Sequence, residues 1–162
     1  MTNHCGTCTA CCRVFEVPEV KSKAGDWCQH CNIGKGCNIY DARPKTCRDF
    51  ECLWLMSQSR TDPREVLPPE LRPDRCKVVF SPSTNENIMA ATILPGSSAA
   101  MDRKSVLSLI HTLVNGGGNV VVGLPRSTER TMFTPQGAHT VYMTEPDEDG
   151  MQWNIATKEQ VR

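Results

Sequence analysis

Nine of the ten cysteines in this 162-residue chain stand before residue 53, at positions 5, 8, 11, 12, 28, 31, 37, 47 and 52, and the tenth is Cys76. That density constrains the fold more than any hydrophobic pattern does. Residues 1–60 hold too little aliphatic material to fold by burial alone and are broken by turn formers. Only "CRDFECLWLMSQ" (47–58) reads as a short helix. If Cys47 and Cys52 shared that helix, five residues at about 100° each would set their sulfurs about 140° apart. They would then serve different metals, unless the helix begins after Cys47.

The N-terminus, Met1 to Cys5, has neither a basic start nor an apolar stretch, so no secretory signal is expected and the chain is assigned to the cytoplasm. The longest apolar runs, such as 88–94, fall far short of the roughly 20 residues a membrane helix needs, and no membrane association is expected. In a reducing compartment, dense cysteine pairs at short spacing are metal ligands more often than disulfides.

Zinc and iron both favour thiolate. A Cys-x-x-Cys pair lets one tight turn present two sulfurs to an ion while nearby amides hydrogen-bond to them. Cys5/Cys8 and Cys8/Cys11 are overlapping pairs of this kind, Cys28/Cys31 is another, and Gly34 and Gly36 let the backbone turn before Cys37. A tetrahedral zinc takes four ligands, so eight or nine sulfurs imply two sites. Adjacent Cys11 and Cys12 either feed two metals or bridge a binuclear centre. His4 and His30 lie beside cysteines, but residues inside such turns point outward. Cys76, alone beside a strand, reads as a small half-buried apolar side chain, and His111 as a histidine at the edge of the core.

The run "CGTCTACCR" followed by "GCNIYDARPKTCRDFEC" resembles the YkgJ-type cysteine cluster proteins, a family described as zinc- or iron-chelating. The matching positions are Cys5, Cys8, Cys11, Cys12, Arg13 and Cys28, then Gly36, Cys37, Ile39, Tyr40, Arg43, Pro44, Cys47, Arg48, Phe50 and Cys52. They span about the first third of the chain. The resemblance implies metal chelation by these sulfurs. Cys31 departs from it, standing where the family commonly has an apolar residue, yet its Cys-x-x-Cys spacing keeps it among the candidate ligands.

Two four-thiolate zinc sites would carry a net charge of about −4, which the guanidinium groups of Arg13, Arg43 and Arg48 can offset through bonds to sulfur. The alternative for Arg43 and Arg48 is a capping or solvating role around Pro44. Zinc is the first choice of metal. Iron or an iron–sulfur cluster is the alternative, because Cys5-x2-Cys8-x2-Cys11 opens like a ferredoxin run, although Cys12 follows at once and no proline closes it. A cluster of that kind would serve electron transfer or form part of a modifying enzyme; a related cysteine cluster in flagellin lysine methylases keeps the enzyme reading open by analogy. Thiolate-rich sites are typically closed and contribute folding energy, and no HExxH or Gly-x-Ser-x-Gly motif is present, so a binding protein is favoured over an enzyme. "NGGGNVVVG" follows a helix and precedes a strand, the reverse of a dinucleotide loop. Lys and Arg total 18, as do Asp and Glu. With no basic, aromatic-interleaved face, nucleic acid is not an expected partner.

The fold class expected is α+β: a cysteine-rich, metal-stabilised module over 1–60 with little regular structure, a proline-rich connector over 61–76, and a small domain over 77–162. The connector "TDPREVLPPELRPD" carries four prolines and reads as stiff. Beyond it, 77–80, 88–94, 119–124, 131–133 and 139–143 read as mainly antiparallel strands. Residues 101–115 read as the one main helix, with Val106, Ile110, Leu113 and Val114 as its apolar stripe, Leu107 alongside, and Gly116 as a left-handed cap. The acidic stretch 145–150 and the tail after Trp153 read as surface.

Overall fold

A computed structural model describes residues 5–83, 87–144 and 155–156. The cysteine-rich part forms only short elements: α1 (Cys11–Val14), the two-stranded hairpin β1 (Cys31–Asn32) and β2 (Gly36–Cys37), α2 (Lys45–Asp49) and α3 (Leu53–Ser57). The expected helix over 47–58 is two helices. Phe50 is extended at φ −84°, ψ 127°, and Cys52 stands at the start of α3, where its Sγ accepts from the Leu55 amide. That break frees the two sulfurs from a common helix axis.

The proline-rich stretch is folded onto the protein. Pro63, Pro69 and Pro73 each open a helical turn, a position where the missing N–H has no intrahelical partner to lose. The last of these turns is α4 (Pro73–Cys76). Leu71 and Cys76 are buried among the core residues of the sheet.

The remainder is a six-stranded sheet of β3 (Val78–Pro82), β4 (Ile88–Ile93), β5 (Asn119–Gly123), β6 (Glu129–Thr134), β7 (Gly137–Met143) and the short β8 (Ile155–Ala156), paired in chain order. All pairs are antiparallel except β4 with β5. Those two run parallel because α5 (Lys104–Asn115) carries the chain back between them, as a parallel pair requires. The expected strands and helix are all present, but several ends move. A 3-10 turn over Ser98–Asp102 precedes the helix. In the stripe of α5, Leu109 is buried with Val106, Ile110 and Val114, whereas Leu107 and Leu113 are only partly buried and His111 is exposed. Gly116 has φ −77°, and the left-handed conformation falls on Gly117 at φ +94°. The acidic stretch 145–150 and the tail, apart from β8, lie outside the described residues, as does His4.

The sheet is covered on both faces at β3, and the alternation of that strand shows how. Val78 and Phe80 point with Ala91, Ile93, Val120 and Val122 into the core beneath α5. Val79 points the opposite way and is buried with Ala10, Val14, Cys52, Leu55 and Leu94. The cysteine-rich segment therefore has a small apolar contact with the sheet and takes its position from it. A second tie is the pair of Arg126 and Asp26, 3.3 Å apart.

Candidate functional site

Eight cysteines line a single cavity of about 680 Å³: Cys5, Cys8, Cys11, Cys12, Cys28, Cys37, Cys47 and Cys52. Local backbone order sets them there. The Cys8 amide donates to the Cys5 carbonyl at 3.0 Å, closing a turn whose second residue, Gly6, has φ +60°, a conformation that costs glycine little. Cys11 and Cys12 occupy the first turn of α1, where the Cys12 amide donates to Thr9 at 3.0 Å. The Cys28 amide donates to the Cys12 carbonyl, and the Cys31 amide to the Cys28 carbonyl, both at 2.9 Å. Cys37 lies on β2 opposite Cys31, Cys47 on α2, and Cys52 before α3. Phe15 and Phe50, with ring centroids 4.6 Å apart, form part of the apolar wall.

All ten cysteines are free thiols. Among the described residues no three His, Cys, Asp or Glu side chains close around a single ion-sized point; the eight sulfurs stand around the wall. As a donor set they suit thiophilic metal, since soft thiolates select zinc, copper(I) and iron–sulfur centres. Cys31 and Cys76 are not part of the wall. Cys31 lies outside it, its thiol interacting with the Thr9 hydroxyl and with Cys12, which in turn interacts with Cys11. Cys76 is fully buried in the sheet core, with its Sγ 3.2 Å from the Val78 carbonyl oxygen.

Burial makes the neutral thiol the favoured form at several positions. It pushes Cys5 up to about 11, helped by Cys52 and Cys8 and opposed by Arg43. Cys12 is raised first by its hydrogen bond to Cys11 and then by burial. Cys31 is pushed up to about 12, by burial and then by Cys12. Cys47 is raised by burial, then by Cys12, Cys28 and Cys37. Burial also raises Cys8 and Cys52, but amides oppose it: Ala10 and Asp74 donate to the Cys8 sulfur, Leu55 and Trp54 to that of Cys52. Thiolate ligation by these sulfurs would require their deprotonation, and the amide donors would then stabilise the thiolate charge.

The arginines divide. Arg43 and Arg48 line the cavity. Arg43 is held by its own neighbour, with its guanidinium carbon 3.6 Å from the centre of the Tyr40 ring and its Nε donating to the Tyr40 carbonyl at 2.8 Å. Arg13 is absent from the wall and lies over Trp27 at 5.1 Å. His30 lines the cavity although its place inside a Cys-x-x-Cys pair predicts an outward side chain. The sequence reading missed Thr9 and Asp74. Thr9 is buried and holds the 28–34 loop by accepting from the Gly34 amide at 3.1 Å. Asp74 comes from far along the chain to donate its amide to Cys8, and no local pattern announces that.

No family model, curated protein or solved structure matches the chain.

Proposed function

We propose that this is a metal-binding cysteine cluster protein of the YkgJ type it resembles, holding zinc through Cys5, Cys8, Cys11, Cys12, Cys28, Cys37, Cys47 and Cys52 in a reducing, cytoplasmic setting. The observation that carries the reading is the shared cavity wall, which gathers these eight sulfurs and leaves out Cys31 and Cys76. A bound metal supplies crosslinks to a segment whose helices are four or five residues long and whose apolar cluster is small. Structural zinc contributes about 10–16 kcal/mol of apparent binding free energy in small peptides, enough to decide whether such a segment folds. The metal is structural or handled for delivery, and the sulfur-rich donor set favours closed sites over a catalytic one.

A second reading, an iron–sulfur protein, is supported by the volume of the cavity and the spread of its sulfurs, which leave more room than one ion fills. Cobalt(II) loading tests whether the sites are closed. Intense sulfur-to-cobalt charge transfer with tetrahedral ligand-field bands supports thiolate binding in closed sites. A five-coordinate spectrum, or one altered by added anion, indicates an open site and contradicts the closed, non-catalytic reading.

A further inference from the structure

We infer that Cys31, the one cysteine before residue 53 that stands outside the cavity wall, is the redox partner of Cys12, and that a disulfide between them withdraws Cys12 from the wall and releases metal. The release rests on the metal-binding reading above; the pairing does not.

Backbone hydrogen bonds strap the two stretches together. The Cys28 amide donates to the Cys12 carbonyl at 2.9 Å and the Gly34 amide to the Thr9 hydroxyl at 3.1 Å, which sets residues 28–34 along residues 9–12 with Cys31 between the straps. There the Cys31 thiol interacts with Cys12 and with the Thr9 hydroxyl, and both cysteines are only partly buried. The rival pairs fit less well. Cys11 is the strongest neighbour of Cys12, but adjacent Cα atoms across a trans peptide stand about 3.8 Å apart, short of the roughly 4.4–6.8 Å that a disulfide spans. Bridging them would force the first turn of α1 out of helical geometry. Cys37 faces Cys31 across the hairpin, and the Asn38 amide bond to the His30 carbonyl marks theirs as a non-hydrogen-bonded pair. Such pairs hold their Cα atoms about 4.5 Å apart, at the short end of the disulfide span. Cys28 is a weaker neighbour of Cys31 than Cys12 is.

In a reducing compartment a disulfide of this kind is transient and redox-sensing. The co-reactant is a low-molecular-weight disulfide of the glutathione class. Cys31, as thiolate, attacks one sulfur of that disulfide and expels a glutathione thiolate, which leaves a mixed disulfide on Cys31. Cys12 then gives up its proton or its metal, attacks the Cys31 sulfur and expels the second glutathione thiolate. The two glutathione thiolates take up two protons, from the protein thiols or from solvent. Two electrons pass from the protein sulfurs to the glutathione disulfide, and the metal loses one thiolate.

The test equilibrates the zinc-loaded full chain in glutathione buffers stepped from reducing to oxidising at fixed free zinc(II). Thiols are then trapped by alkylation and disulfides mapped by mass spectrometry. The first disulfide to appear should be Cys12–Cys31. Any other first disulfide, Cys28–Cys31 and Cys31–Cys37 included, or none over the whole range, overturns the pairing. Zinc should leave as the disulfide forms, so each tenfold rise in free zinc above its Kd should make the pair about tenfold harder to oxidise, lowering its midpoint by about 30 mV. A midpoint that ignores zinc overturns the release. Cys31→Ser should take up as much zinc as the wild type and keep it at ratios where the wild type has lost it; loss at the same ratio counts against the inference. The wild-type titration needs no variant and stands whatever Cys31→Ser does to folding. A wild-type chain that takes up no zinc overturns the metal-binding reading instead, and its disulfide map still decides the pair.

Discussion

Val79 of β3 and Cys52 before α3 are buried in the same cluster, on the face of the sheet opposite α5. A strand of the folded domain thus supports one of the sulfurs of the cavity. Val79→Ala removes buried methyl groups from that contact and should cost about 1–3 kcal/mol. It should also speed zinc loss to a chelator, whereas a core substitution on the other face, such as Val120→Ala, should lower stability without that effect. Urea unfolding and chelator kinetics on both variants check this.

Removing metal should unfold the cysteine-rich segment and spare the sheet. Hydrogen exchange in the apo protein should show lost protection over residues 5–60, with β4, β5 and α5 still protected. Their core beneath α5 includes none of the eight cavity cysteines. Uniform protection with and without metal would contradict the structural role of the ions.

Cys76→Ser is a control with a stability cost of its own. The thiol is fully buried beside the carbonyl oxygens of Leu71 and Val78. A shorter, more polar hydroxyl there should destabilise the domain by about 1–3 kcal/mol. Metal content should match the wild type, while Cys12→Ser and Cys28→Ser each lower it.

Arg43→Ala should weaken metal retention without removing an ion at saturation. Its guanidinium lines the cavity and opposes the upward push on Cys5, and loss of such supporting groups typically costs about 10–100-fold in affinity. Arg43→Lys should restore part of the effect, since it keeps the charge but not the planar stack on Tyr40. Competition against a zinc-sensitive dye reads both quantities.

Gly123→Ala tests the far side of the sheet. A Cβ there would stand 2.7 Å from Cγ of Arg130, whose Nε and Nη2 are held by the carbonyls of Ser127 and Leu124. The variant should be destabilised by about 1–3 kcal/mol through overpacking. Adding Arg130→Ala should recover part of that loss, a coupling that a double-mutant cycle in urea measures.

The strands and α5 were legible because each carries its own periodicity: the alternation of Val78, Val79 and Phe80 and the helical spacing of Val106, Ile110 and Val114. The cysteine spacings marked the wall of the site in the same local way. What the sequence could not give was long-range. Nothing near Cys8 points to the Asp74 amide, and nothing near Cys31 tells that it interacts with Cys12 from outside the wall. The break at Phe50 was hidden because the residues from Cys47 to Gln58 are all tolerable in a helix; tertiary packing decides where it stops. The proline-rich stretch was open in the same manner, since Pro63, Pro69 and Pro73 restrict the chain equally well in a stiff connector and at the start of a helical turn.

The most direct test of metal binding is elemental analysis of the full chain purified without added metal, taken with its visible spectrum. The account predicts about two metal ions per chain, each with four thiolates, and a colourless protein if the ions are zinc. Absorbance near 400 nm with matching iron and acid-labile sulfide would replace zinc by the iron–sulfur alternative. Less than about a tenth of an ion per chain, in protein kept reduced throughout and still unable to take up added zinc or iron, would contradict the metal-binding claim.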